Sequence, residues 1–136
     1  MDKNTRFLIV DDFSTMRKIL KKALGEMGYT QVEEAENGQQ AWTMIEQKRT
    51  ENVPYQFIIS DWNMPIMSGV DLLKKFRSDD KNRTTPFVMV TAESEQKQIL
   101  EAVKMGCSDY IVKPFTPATI KEKIERVYEK FYKKVG

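Results

Sequence analysis

The chain has 136 residues, 40% of them hydrophobic and 31% charged, and carries a net charge of +2; it suits one folded domain better than a disordered tail. Histidine is absent and Cys107 is the only cysteine, which excludes an internal disulfide, Ser-His-Asp or Cys-His catalysis and a zinc site of the usual ligands. No apolar run reaches the roughly 20 residues of a membrane span, MDKNTRFLIV lacks a signal-peptide core, and basic residues are interspersed with acidic ones. A cytoplasmic protein that binds neither membrane nor nucleic acid is expected.

The first apolar run, FLIV at 7–10, reads as a strand. Met16, Ile19, Leu20, Ala23, Leu24 and Met27 then recur at helical spacing up to Gly28. VEEA at 32–35 is a weaker, more polar strand, expected at a sheet edge, and a helix follows Gly38. FIIS at 57–60 is the third strand, with a helix after Ser68; FVMV at 87–90 is the fourth, with a helix around 96–105. YIV at 110–112 is the fifth. The last helix opens with Thr116 as N-cap and Pro117 at its first position, then buries Ile120, Ile124, Val127 and Phe131. Continuous apolarity in the strong strands means burial on both faces, as in a parallel sheet sandwiched by helices. The reading is a single α/β domain over residues 1–136, with no linker or output domain.

Polar residues follow each strong strand at once: Asp11 and Asp12 after the first, Asp61 after the third, Thr91 after the fourth, Lys113 after the fifth. Sites in open α/β sheets form at the carboxyl ends of the strands, so these groups converge on one edge. Each has a bland alternative: Asp12 or Ser14 as a cap of the first helix, Thr91 as a cap of the fourth, Lys113 as a solvated lysine. Together the bland readings fare worse. Carboxylates about 5 Å apart repel by roughly 3 kcal/mol per pair at an effective dielectric of 20, more than Lys113 alone offsets. A hard divalent cation such as Mg²⁺ would offset it, and an acidic cluster with Mg²⁺ is a place to put a phosphoryl group. A carboxylate can itself be the nucleophile; Asp61, on the most central strand, is the candidate.

The segments FLIVDDFSTMRK, EEAENGQQAW, ISDWNMPIMSGVDLLKKFR, VMVTAES and YIVKPFT, in this order over nearly the whole chain, resemble the receiver domains of two-component response regulators, and among them the single-domain chemotaxis regulators of the CheY kind. The resemblance implies a flavodoxin-like, doubly wound five-stranded parallel sheet of order 2-1-3-4-5. It makes Asp61 the phosphoacceptor, served by a histidine kinase of the chemotaxis type. Asp11, Asp12, Asp61 and the backbone carbonyl of Asn63 would hold Mg²⁺, with Thr91 and Lys113 on the phosphoryl oxygens and a cis Lys113–Pro114 bond. Such a protein is a phosphoacceptor that promotes its own transfer and slow dephosphorylation rather than an enzyme.

Tyr110 is either an ordinary half-buried strand tyrosine or, by the resemblance, a switch aromatic that moves inward with Thr91; Trp62, beside Asp61, would report the change. The output face would comprise Ile99, Val103, Tyr110 and Val112 with a basic rim of Lys123 and Arg126, which suits an acidic amphipathic helix. By resemblance that helix belongs to the flagellar motor switch protein, the chain acts as a monomer, and there is room for a dedicated phosphatase. Two stretches are longer than in the enteric chemotaxis regulators: 48–56, expected to be a tolerant surface loop, and the tail 128–136, read as prolonged helix or as a partner contact. Ser94 and Gln96 also depart from the enteric pattern. A haloacid-dehalogenase-type phosphatase would need an acidic residue where Asn63 stands, and a flavodoxin-like carrier would not place DDFST beside a flavin phosphate. A single-domain regulator of a phosphorelay or of a pathway outside chemotaxis is the remaining alternative.

Overall fold

The computed structural model describes residues 3–92 and 96–132. Five strands, β1 (Phe7–Val10), β2 (Val32–Ala35), β3 (Phe57–Asp61), β4 (Phe87–Ala92) and β5 (Asp109–Lys113), alternate with α1 (Ser14–Glu26), α2 (Gly38–Thr50), α3 (Gly69–Arg77), α4 (Gln96–Lys104) and α5 (Pro117–Tyr132). The sheet order is β2-β1-β3-β4-β5 and every pairing is parallel. This is the expected doubly wound architecture, with the polar VEEA strand on an edge and β3 at the centre.

The alternation of side chains along each strand explains the unbroken apolarity. Phe7, Ile9, Phe57, Ile59, Val88, Val90 and Ile111 pack with Leu20, Leu24, Ile120, Ile124 and Val127 on the side covered by α1 and α5. Leu8, Val10, Ile58, Phe87 and Met89 join Ala41, Ile45, Leu72, Leu73, Phe76 and Ala102 on the side of α2, α3 and α4. Two cores share one sheet. Thr116 caps the last helix as expected, accepting from Thr119 N (3.2 Å), and two further helix starts are capped by Asn37, which accepts from Gln40 N (2.8 Å), and Ser68, which accepts from Asp71 N (3.1 Å). Gly28 and Gly106, both at φ +98°, end α1 and α4 in the left-handed conformation that glycine tolerates.

Three expectations change. Ile19 is 42% exposed, because α1 buries only the stripe of Leu20, Ala23 and Leu24 against the sheet. The N-cap of α1 is Phe13, with no side-chain cap, so neither Asp12 nor Ser14 serves there. The segment 48–56 is no loose loop: α2 continues to Thr50, Asn52 turns the chain at φ 63°, and Tyr55 is buried with its hydroxyl on Glu33. Of the tail, Tyr128 meets Tyr132 in a tilted ring contact and Phe131 packs against the core; Lys133 and Lys134 lie outside the described residues, as do Ser94 and the side chain of Gln96. No helix among the described residues is long and apolar enough to cross a membrane.

Candidate functional site

Parallel strands all point their carboxyl ends at one edge, so the residues that follow them meet there. Asp11, Asp12 and Asp61 each offer a carboxylate oxygen, and these oxygens lie within 4.8 Å of one another. Asp11 is buried and Asp61 is only 8% exposed, whereas Asp12 faces solvent. Lys113, at the end of β5, reaches across β4 and donates to Asp61 Oδ1 at 3.1 Å. The same oxygen accepts from Trp62 N at 3.0 Å.

Asp11 Oδ1 accepts from Phe13 N at 2.9 Å, which is why the first helical turn begins so close to the carboxylate. Its Oδ2 is buried and meets no donor among the described residues. A buried carboxylate oxygen without a partner is costly, and burial, with Asp61 and Asp12 adding to it, pushes the Asp11 carboxyl up to about 6. Burial likewise raises Asp61, against the opposing pull of Lys113. Three carboxylates and one ammonium leave two negative charges, the complement of one divalent cation. An all-oxygen donor set with an orphaned oxygen fits Mg²⁺, and Asp11, Asp12 and Asp61 are the residues that would hold it.

The remaining candidates take their places around this centre. Thr91 is buried at the end of β4, one residue past Val90, the register partner of Asp61. Among the described residues its hydroxyl makes only a long 3.4 Å bond to Ala92 O, which leaves it available to another acceptor. Asn63 is exposed in the loop two residues beyond Asp61. The Lys113–Pro114 bond is cis, as expected. Trp62 is buried, 5% exposed, beneath this edge.

Two glycines that carry no chemistry escaped the sequence reading. A Cβ on Gly69 would stand 1.9 Å from the carbonyl oxygen of Asp61, and Gly69 N donates to Trp62 O at 2.9 Å. A Cβ on Gly38 would stand 2.6 Å from Met67 O, which accepts from Gly38 N at 3.0 Å. Both let a helix start press against the loop after β3 and fix Asp61 from behind. The only signal in the sequence is their position directly after the caps Ser68 and Asn37.

On the predicted output face, Val103 is 53% exposed, and Leu100, not among the candidates, 66%. Ile99, Tyr110 and Val112 are half-buried. The basic rim is less free than it reads in the sequence: Lys123 Nζ is 3.2 Å from Asp109 Oδ1, and Arg126 is held by Glu122 at 3.2 Å and lies 3.9 Å from Asp109 Oδ2.

The family model of the response regulator receiver domain matches residues 7–125. The chain belongs to the response regulator receiver family. It is 45% identical over 130 residues to the chemotaxis protein CheY-3 of Vibrio cholerae, covering 96% of each chain. It is 45% identical over 125 residues to the chemotaxis protein CheY of Pseudomonas aeruginosa, covering 92% of this chain and 97% of that one. Among solved structures it resembles the chemotaxis response regulator CheY4 of Vibrio cholerae, with a TM-score of 0.79, 31% identity, and coverage of 91% of this chain and 98% of that one. The acid pair, Asp61, Thr91 and Lys113 thus stand together at the strand ends of a receiver with relatives among chemotaxis proteins.

Proposed function

We propose that this receiver is a chemotaxis switch operated by phosphorylation of Asp61. The observation that carries the reading is the meeting of three carboxylates within 4.8 Å with the Lys113 ammonium on Asp61 and one buried Asp11 oxygen unpaired. A site so charged is arranged to receive a cation and an anion together, and phosphoryl transfer asks mainly for positioning and charge neutralisation.

The donor imidazole comes from a partner histidine kinase, since this chain has no histidine. An oxygen of Asp61 attacks phosphorus, the P–N bond breaks, and its electron pair returns to the imidazole nitrogen, which takes a proton. Asp61 becomes an acyl phosphate. Asp11, Asp12, Asp61 and the Asn63 carbonyl would hold Mg²⁺, which when bound would neutralise charge on the phosphoryl oxygens. Lys113 gives up its bond to Asp61 for one to the phosphoryl group, and the weakly held Thr91 hydroxyl turns toward it. Movement of Thr91 biases Tyr110 and the α4–β5–α5 face by population shift. That face then takes an acidic helix of the flagellar motor switch. The chain turns over no separate substrate; hydrolysis of its own acyl phosphate, aided by a phosphatase, resets it.

The test is covalent labelling with acetyl phosphate, read by mass spectrometry. Wild type is expected to gain one phosphoryl group on Asp61 in Mg²⁺, to lose nearly all of the rate on chelation, and Asp61→Asn to show no label at that position. A rate indifferent to chelation would remove the metal from the mechanism.

A further inference from the structure

The Asp109 carboxylate stands at the start of β5, one residue before Tyr110, with its side chain only 14% exposed. One oxygen accepts the Tyr110 N–H at 2.8 Å and the Lys123 ammonium at 3.2 Å; the other faces Arg126 at 3.9 Å. Held in this way, the Lys123 ammonium sits 4.7 Å from the centre of the Tyr110 ring. A single acid therefore engages both cations of the basic rim, Lys123 and Arg126, and, through one of them, the aromatic between them. Lys123 is 20% exposed, so its geometry is set by these two neighbours more than by solvent.

We infer that Asp109 is a positioning residue that sets the threshold of the output face: it occupies in cis the cations that an acidic partner would use in trans, and through Lys123 it pins the Tyr110 ring. The inference rests on the proposed acidic partner. A partner carboxylate that reaches Lys123 has to displace or share Asp109, and Lys123 drawn toward the partner releases the Tyr110 ring. The resting face is thereby weakened for binding, and an event that moves Tyr110 loosens the same clasp. Coupling is reciprocal, so partner and phosphorylation each make the clasp easier for the other to open. The Glu122 carboxylate, by contrast, pairs with exposed Arg126 along α5 and, among the described contacts, with neither the Lys123 ammonium nor Tyr110.

The experiment compares wild type, Asp109→Asn and Glu122→Gln, each with and without beryllofluoride and Mg²⁺. The last two variants change the net charge equally, so long-range attraction acts on both alike. Binding of a fluorescent acidic amphipathic peptide helix is read by anisotropy, and the Tyr110 ring by its aromatic carbon and proton resonances in the free protein. Asp109→Asn is expected to strengthen binding to the resting form by roughly three- to tenfold, to narrow the gap between resting and beryllofluoride forms, and to shift and mobilise the Tyr110 ring. Glu122→Gln should leave the ring unmoved and narrow the gap far less. Equal effects of the two variants on the gap, or a Tyr110 ring unchanged by Asp109→Asn, would overturn the inference. If the wild type binds no acidic peptide in either state, the proposed output reading falls, and the ring resonances still decide whether Asp109 pins Tyr110.

Discussion

At the amino ends of the strands, Arg77 donates to Asn82 O at 2.5 Å, Thr85 O at 2.7 Å and Gly106 O at 2.9 Å, tying the end of α3 to the chain before β4 and the turn before β5. Arg49 holds Asp79 at 2.8 Å together with Asn82, whose amide reaches Phe76 O at 2.9 Å, and Tyr132 donates to Gln56 O at 2.6 Å. At the carboxyl ends, like charges crowd and, among the described residues, an Asp11 oxygen goes unpaired and Thr91 is weakly bonded. One pole matches its polar groups and the other leaves them unmatched. The first holds the fold; the second stores the imbalance that a cation and a phosphoryl group would relieve.

The largest effect expected comes from joining the two tasks at one atom. Gly69→Ala puts a methyl group 1.9 Å from the Asp61 carbonyl oxygen, and backbone cannot yield as a flexible side chain can. Urea unfolding should show a loss of about 3 kcal/mol or more, together with slowed labelling of Asp61. Gly25→Ala, on α1 with nothing within 4 Å of its new methyl, should instead gain roughly 0.5–1 kcal/mol. Next in size is Arg77→Met, which strands three carbonyls and should cost about 2–3 kcal/mol. Its labelling rate should match wild type; a rate that fell with stability would mean the poles are not separable.

The acidic pole has a signature in pH. Folding raises the Asp11 carboxyl from 3.8 to about 6, chiefly by burial. Its stabilising contribution is therefore full below pH 3.8 and lost as pH rises through about 6. In metal-free protein, Asp11→Asn should be nearly neutral at pH 4 and more stable than wild type by about 2–3 kcal/mol at pH 8. Mg²⁺ should raise the melting temperature of wild type and leave the variant nearly unmoved. A difference independent of pH would refute the assignment of that cost to Asp11.

The acidic pole was legible in the sequence for a geometric reason. In a parallel sheet the residue after each strand is automatically at the site, so Asp11, Asp12, Asp61, Thr91 and Lys113 were found by finding strands. The opposite pole was not legible, because its bonds run from side chains to carbonyls far along the chain. Arg77 in LLKKFR looks like one more surface cation of α3, and nothing local says that it turns inward to Gly106. Arg49 and Tyr55 looked like parts of a loop for the same reason. Asp109 and Lys123 stand fourteen residues apart, on different elements, and their pairing needs the α5 packing that no periodicity specifies.

The smallest effect expected at the acidic pole tests whether strain really is confined to the functional edge. Both poles contain a non-glycine residue in the left-handed region: Asn52 at φ 63° after α2, and Ile66 at φ 70° in the loop after Asp61. Asparagine tolerates this conformation, whereas a β-branched residue pays for it in steric energy. Ile66 is also 82% exposed, so packing offers no compensation. The hydrogen bond Met67 N to Pro65 O at 2.7 Å closes a γ-turn around it, and Met67 O is pinned in turn by Gly38 N. The strain is thus imposed by the start of α2 pressing on the loop that carries Asp61. Ile66→Asn should stabilise the protein by about 1 kcal/mol, and Ile66→Gly by less, because glycine gains entropy in the unfolded chain. Asn52→Ile should destabilise by a similar amount, transferring the same strain to the relaxed pole. If Ile66→Asn instead lowers the urea midpoint, the loop is not strained at Ile66, and the division between a relaxed and a strained pole fails at that residue.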